Sequence, residues 1–268
     1  MSGTALALVL AGALCHAIWN IVAKKAGGGA DFVFLFGLVS GVAAAPFAAW
    51  AWSIEPQDFS VAMWVAAIGS GVIHVLYSLV LQKAYREADF AVVYPVARGS
   101  GPMLSVLLAV LMLGERPSRL GLLSVVLIIV GVFVSAGAAE LGRGDGPGRR
   151  LGVMWGLATG MFIAAYTVLD GWAIKTLGMM PILFYAVGLG VRTLALAPFA
   201  VGRREELRRE WRAKRSAILA VGLLSPTAYG LVLFAVQRAP LSYVAPVREI
   251  SMLIGTFIGA RLLSEHMT

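Results

Sequence analysis

Cysteine is nearly absent from this chain: Cys15 is the single one in 268 residues. A lone thiol excludes an internal disulfide and any multi-cysteine metal site. Histidine is also scarce, and His16, His74 and His266 fall at no ligand spacing, so no metal and no other cofactor is expected. Charge is thin as well. Only 13% of residues are Asp, Glu, Lys or Arg, against 59% hydrophobic ones, where an ordinary globular chain is about a quarter charged. No segment is hydrophilic for long enough to build a soluble domain. No phosphate-cradling glycine loop of the nucleotide-binding kind is present, which leaves ion or substrate gradients as the energy source for any transport.

What fills the chain instead is apolar sequence of membrane length. A run of about 20 apolar residues crosses a bilayer, and nine such runs are expected: Thr4–Ala23, Phe32–Trp52, Ser60–Gln82, Phe90–Leu113, Leu120–Ala139, Leu151–Ile174, Met179–Val201, Ser216–Val236 and Leu241–Leu263. The mean hydropathy of +0.84 agrees. The first run lacks a basic flank and a small-residue cleavage site, so it reads as a retained span and not as a signal peptide. The net charge of +8 is no sign of nucleic acid, because the basic residues sit in short connections between spans. Fifteen of the 22 lie in loops after spans one, three, five and seven or, as Arg261, at the end of span nine, and four on the other side. The positive-inside bias then places the basic 203–215 connection in the cytoplasm and the N-terminus outside.

Two stretches repeat. Ala88–Glu115 reads ADFAVVYPVARGSGPMLSVLLAVLMLGE, and Ala239–Glu265 reads APLSYVAPVREISMLIGTFIGARLLSE. Each holds a proline, an arginine two or three residues later, and a closing glutamate: Pro95, Arg98 and Glu115, then Pro246, Arg248 and Glu265. A shift of about 150 residues also aligns His16 with Tyr166, Asn20 with Asp170 and Lys25 with Lys175. Five spans precede the restart, and an odd number per repeat forces the second copy in from the opposite side. That is an inverted repeat. The expected fold is therefore an all-α polytopic membrane protein with two halves, 1–139 and 151–268. The first holds five spans and the second four, so a tenth span is expected after Thr268 and reads as missing from this sequence.

These motifs, with His16–Asn20 (HAIWN) in the first span, resemble the EamA-type transporters of the drug/metabolite transporter superfamily. The resemblance implies a ten-helix fold around a cavity lined by spans one, three, four, six, eight and nine. It also implies a secondary carrier of small organic solutes, such as amino acids or metabolites, in a bacterial inner membrane. It names no substrate.

Several residues are candidates for contact with a solute. His16 and Asn20 share one helix face, as do Tyr166 and Asp170. An arginine at the bilayer centre costs about 2.5–3.5 kcal/mol, so Arg98 and Arg248, each beside a helix-kinking proline, suit an anion or carboxylate, or else pair with Asp170 or Glu249. Glu249 faces Gly99 in the repeat and so reads as a lone membrane carboxylate able to carry a coupling proton. Tyr77, Tyr94, Tyr229 and Tyr243 fall in the expected cavity spans and suit amphipathic solutes. Arg192 stays unassigned. Glycine pairs at 37/41, 156/160 and 255/259 read as helix packing. A small-molecule substrate, membrane lipid and a homodimeric partner are expected. Two other classes compete: a non-transporting membrane subunit or sensor, and an intramembrane enzyme, for which His16 and His74 lack obvious partners.

Overall fold

The computed structural model describes residues 1–27, 29–88, 90–135, 147–252 and 254. It is all-helical over them. The helices are α1 Gly3–Ala26, α2 Ala30–Ile54, α3 Val61–Glu87, α4 Phe90–Met112, α5 Arg119–Ser135, α6 Pro147–Lys175, α7 Pro181–Ala200, α8 Arg204–Arg238 and α9 Leu241–Arg248. Seven are long and apolar enough to span a bilayer. Helices dominate because a bilayer offers no water to the backbone, so each segment must bond its own N–H and C=O groups. Leucines, valines and tryptophans on the outside of α1, α2, α3 and α5 stay exposed, as a lipid-facing surface requires.

The two halves interlock. Helices α1 and α8 pack together, and so do α3 and α6, α2 and α7, and α4 and α9. Matching α1–α4 with α6–α9 turns the α1–α8 contact into the α3–α6 contact, while the α2–α7 and α4–α9 contacts map onto themselves. This is the pattern that a two-fold axis in the membrane plane imposes. The connections sort into two ends. Residues 27, 29–31 and 201–214 meet at one, where Arg203 pairs with Asp31 at 2.9 Å and Lys214 reaches the Gly27 carbonyl at 3.4 Å. This is the basic end. Residues 55–60, 113–118, 176–180 and 239–240 meet at the other.

Three expectations change. The basic connection expected at 203–215 is helical: α8 begins at Arg204 and runs for 35 residues, about 50 Å at 1.5 Å per residue. Its one break is Lys214, at φ −130° and ψ 21°. The ninth span is interrupted at Glu249, directly after Arg248, where the chain makes short-range turns from Glu249 N–H to the Pro246 carbonyl and from Met252 N–H to the Glu249 carbonyl. The helix runs through Pro246, whose missing N–H removes the bond back to Ser242, and the Glu249 N–H then bonds three residues back instead of four. The Gly37–Gly41 pair is not a close contact: a Cβ at Gly37 meets nothing within 4 Å, and one at Gly41 meets only Thr193, at 3.8 Å. The 255/259 pair and Glu265 lie outside the described residues.

Close packing does occur along α6. Gly152, Gly156 and Gly160 lie on one face of it, against Val92, Val96 and Ser100 of α4. A Cβ at Gly156 would stand 2.7 Å from Val96 Cβ, closer than real side chains come. Small residues let helix backbones approach where no water drives association. Gly156→Val is therefore expected to force α4 and α6 apart and cost about 1–3 kcal/mol. Its melting temperature in detergent should drop clearly, while Gly37→Val should melt like the wild type.

Candidate functional site

A cavity of about 360 Å³ lies between the halves, within the 300–1,000 Å³ range of small-molecule sites. It runs from the middle of the bundle toward the basic end. Each helix brings one stripe to it. Helix α3 contributes His74, Tyr77, Ser78, Leu81 and Tyr85, whose spacing of three, four and seven keeps them on a single face. Helix α1 contributes Gly12, His16, Trp19 and Asn20 by the same periodicity. Tyr94 and Arg98 come from α4, Tyr166 from α6, Tyr229 from α8 and Arg248 from α9. Helices α2 and α7, not expected at the cavity, add Phe36, Tyr185 and Arg192.

The wall is aromatic. His74 stacks on Tyr166 with ring centroids 4.1 Å apart, and Tyr77 meets the same ring edge-on at 5.7 Å. Tyr229 bridges His74, at 5.6 Å, to Tyr185, at 5.3 Å. His74 Nδ1 lies 2.9 Å from the Ser70 carbonyl, which the protonated nitrogen donates to. On α1, His16 stands edge-on to Trp19 at 5.1 Å, and Asn20 donates to the His16 carbonyl at 2.7 Å. Arg98 lies over the Tyr94 ring at 5.7 Å.

Charge is arranged around Glu249. Its two carboxylate oxygens accept from Arg98 Nη1 at 3.2 Å and from Arg248 Nη2 at 3.5 Å. Glu249 is 1% exposed. It is thus no lone carboxylate: the repeat alignment set it against Gly99, but the fold sets it against the arginine one position before that glycine. Sealed between two guanidiniums and absent from the cavity wall, it does not fit the part of an accessible proton carrier. Arg248 pairs with Glu249 and not with Asp170. Asp170 itself lies behind the wall, buried, taking a hydrogen bond from the Tyr229 hydroxyl.

Tyr243 needs the same correction. It is the third residue of α9, which starts at the end away from the cavity. Its hydroxyl accepts from the Ser118 N–H at 2.9 Å, and its ring lies against Gly121 at the start of α5. Of the residues expected to contact a solute, His16, Asn20, Tyr77, Tyr94, Arg98, Tyr166, Tyr229 and Arg248 line the cavity, while Asp170, Tyr243 and Glu249 do not. Trp19, His74, Tyr85, Tyr185 and Arg192 line the cavity too but were not among the expected contacts; Arg192 was left unassigned and His74 was weighed only for metal binding and for an enzyme. The signal for α3 was available, since His74, Tyr77, Ser78 and Tyr85 form one polar stripe at helical spacing. Nothing comparable marked Tyr185.

The end opposite the basic one is clasped. Gly114, at φ +66°, turns the chain after α4, a conformation that glycine adopts without strain. Glu115 is thereby brought under α9. It accepts from the N–H groups of Leu241 at 2.7 Å and Ser242 at 2.9 Å, and from Lys175 Nζ at 3.1 Å. A carboxylate at a helix N-terminus satisfies orphan donors and meets the positive end of the dipole. Lys175 also donates to the Ala239 carbonyl at 3.1 Å. Beside it, Gln57 donates to the Gly178 carbonyl at 2.8 Å and accepts from the Met180 N–H at 3.0 Å. The first half of the chain supplies Gln57 and Glu115, and the second supplies what they hold.

The fold and this site define a multi-pass membrane protein with a central polar cavity closed toward one face. In sequence the chain matches the EamA-like transporter family twice, over residues 3–137 and 150–268, and it belongs to that family. A solved crystal structure is similar in fold, with a TM-score of 0.75 and 18% identity, over the whole of this chain and 91% of the other. No curated protein is significantly similar in sequence.

Burial disfavours the charge on Glu115, but the N–H groups of Ser242 and Leu241, with the Ser242 and Lys175 side chains, outweigh it and hold the carboxyl below its ordinary 4.5. A carboxyl depressed on folding stabilises fully above its ordinary value, and that stability is lost as pH falls through the lower folded value. Melting curves should show the clasp intact at neutral pH and weakening below about pH 4.5. Glu115→Ala is expected to remove about 1 kcal/mol at pH 7 and to flatten this acid limb.

Proposed function

We propose that this protein is a secondary carrier, which moves small organic solutes across the membrane by rocking its two inverted halves around the cavity. The single observation that carries the reading is the asymmetry of the site. An aromatic, arginine-bearing cavity reaches toward one face, and loops from both halves are clasped across the other. A carrier caught with access from one side has this form. By the positive-inside bias, the accessible side is cytoplasmic and the clasped side external, in a bacterial inner membrane. The residues in contact with solute are His16, Asn20, Tyr77, Tyr94, Arg98, Tyr166, Tyr229 and Arg248, with His74, Tyr185 and Arg192 added. The work is translocation and not a covalent reaction.

Rocking requires the clasp to open. In a Cys15→Ser background, Gln57→Cys with Met180→Cys places thiols on the two sides of it, within reach of a short, reducible bifunctional cross-linker. Proteoliposomes holding the uncross-linked variant should take up solutes from a mixed pool of amino acids and metabolites. Cross-linking should abolish that uptake and a reductant should restore it. Uptake that survives complete cross-linking would argue against rocking about this cavity. The absence of uptake by the unmodified chain would favour a non-transporting subunit.

A further inference from the structure

Three guanidiniums face the cavity, Arg98, Arg192 and Arg248, and no carboxylate is among the residues that line it. Behind the wall stand Glu249, shared by Arg98 and Arg248, and Asp170, held by Tyr229. With both carboxylates ionised, three positive charges still exceed two negative ones, and any proton added to Asp170, Glu249 or a histidine only widens the excess. The sign of the site therefore does not depend on protonation. The surplus is localised as well. Arg192 is half-buried at membrane depth, its neighbour is the neutral Tyr185 hydroxyl, and it has no carboxylate partner among the described residues. An unpaired guanidinium in a membrane interior is costly unless an anion meets it.

Other polar atoms of the wall point the same way. Trp19 lines the cavity, and its indole N–H, a donor only, has no protein acceptor. His16 Nε2 is also without a protein partner, and it donates or accepts according to the tautomer. An ammonium group, by contrast, finds no accessible carboxylate and meets three cations. Around these donors stand the faces of Tyr77, Tyr166, Tyr185 and Tyr229, a surface suited to a flat apolar body.

We infer that the cavity selects organic anions, aromatic carboxylates without an amino group, whose carboxylate is held by Arg192 and whose ring lies among the tyrosines. This rests on the carrier reading for its physiological meaning and narrows the solute class: zwitterionic amino acids and amines are excluded by charge. A guanidinium offers a carboxylate two parallel donors. The loss of such a charge-assisted bond weakens binding about tenfold or more.

The test separates binding from transport. Equilibrium dialysis of the detergent-solubilised protein with labelled hydrocinnamate is run against unlabelled hydrocinnamate, hydrocinnamamide, phenylpropylamine, phenylalanine and sulfate as competitors. Exchange of labelled hydrocinnamate, hydrocinnamamide, phenylpropylamine and phenylalanine is followed in proteoliposomes. The expected result is binding of hydrocinnamate that only the acid itself displaces well. Arg192→Gln should weaken it about tenfold or more, and Arg192→Lys, which keeps the charge, should lose less. Size-exclusion profiles of both variants check that they fold. Equal competition by the amide, amine or phenylalanine overturns the proposal, as does unchanged affinity in a folded Arg192→Gln. Equal competition by sulfate overturns the aromatic part, and no binding by the whole panel overturns all of it. Binding of the acid without exchange upholds the anion site and sinks the carrier. Exchange of phenylalanine or the amine without the acid does the reverse.

Discussion

The middle of this bundle depends on one carboxylate. Glu249 lies between Arg98 of α4 and Arg248 of α9, and each of those arginines would otherwise carry an unpaired charge deep in a low-dielectric medium. The pairing joins the two halves at equivalent places of their repeats. It is possible because α9 ends at Arg248, so Glu249 sits in the turn that follows, with its side chain between the guanidiniums. The second half thus provides a charge that the first half lacks, and the pseudo-symmetry of the two arginines is completed by an asymmetric residue.

That mixture of symmetry and departure from it runs through the molecule. Helix contacts follow the inverted two-fold relation, α1 with α8 as α3 with α6. The two ends of the bundle nevertheless differ. At one, Glu115 caps the start of α9 while Lys175 and Gln57 bind neighbouring loops. At the other, the stripes of α1, α3 and α4 part around the cavity. Close glycine contacts along α6 keep α4 and α6 together. The α4 backbone, and Arg98 with it, is thereby fixed at the wall, while the cavity opens beside this contact and not through it.

Much of this was legible beforehand. Hydropathy locates membrane spans because the bilayer core admits few polar groups and sets one length for all of them. The repeat was legible from the spacing of prolines, arginines and closing glutamates alone. Helical periodicity then placed His16 with Asn20 on one common face and Tyr166 with Asp170 on another. Where the reading failed, a span, a shared helix face or a place in the repeat was taken as a place on the cavity wall. Tyr243 is in the right span but near its far end, and Glu249 and Asp170 are at the right depth but turned behind the wall. Arg192 was visible as a charge in a span, with no mate to give it meaning.

The sequence by itself determined that this chain is an all-helical membrane protein of two inverted halves, because length, hydropathy and repeat spacing are local properties that the bilayer reads one segment at a time. The tertiary structure alone decided which polar groups meet. Whether Arg248 pairs with Asp170 or Glu249, and whether Arg192 pairs with anything, depends on helix rotation and on the path of α9 after Pro246. Both are set by packing between halves some 150 residues apart in sequence, and no local pattern encodes them.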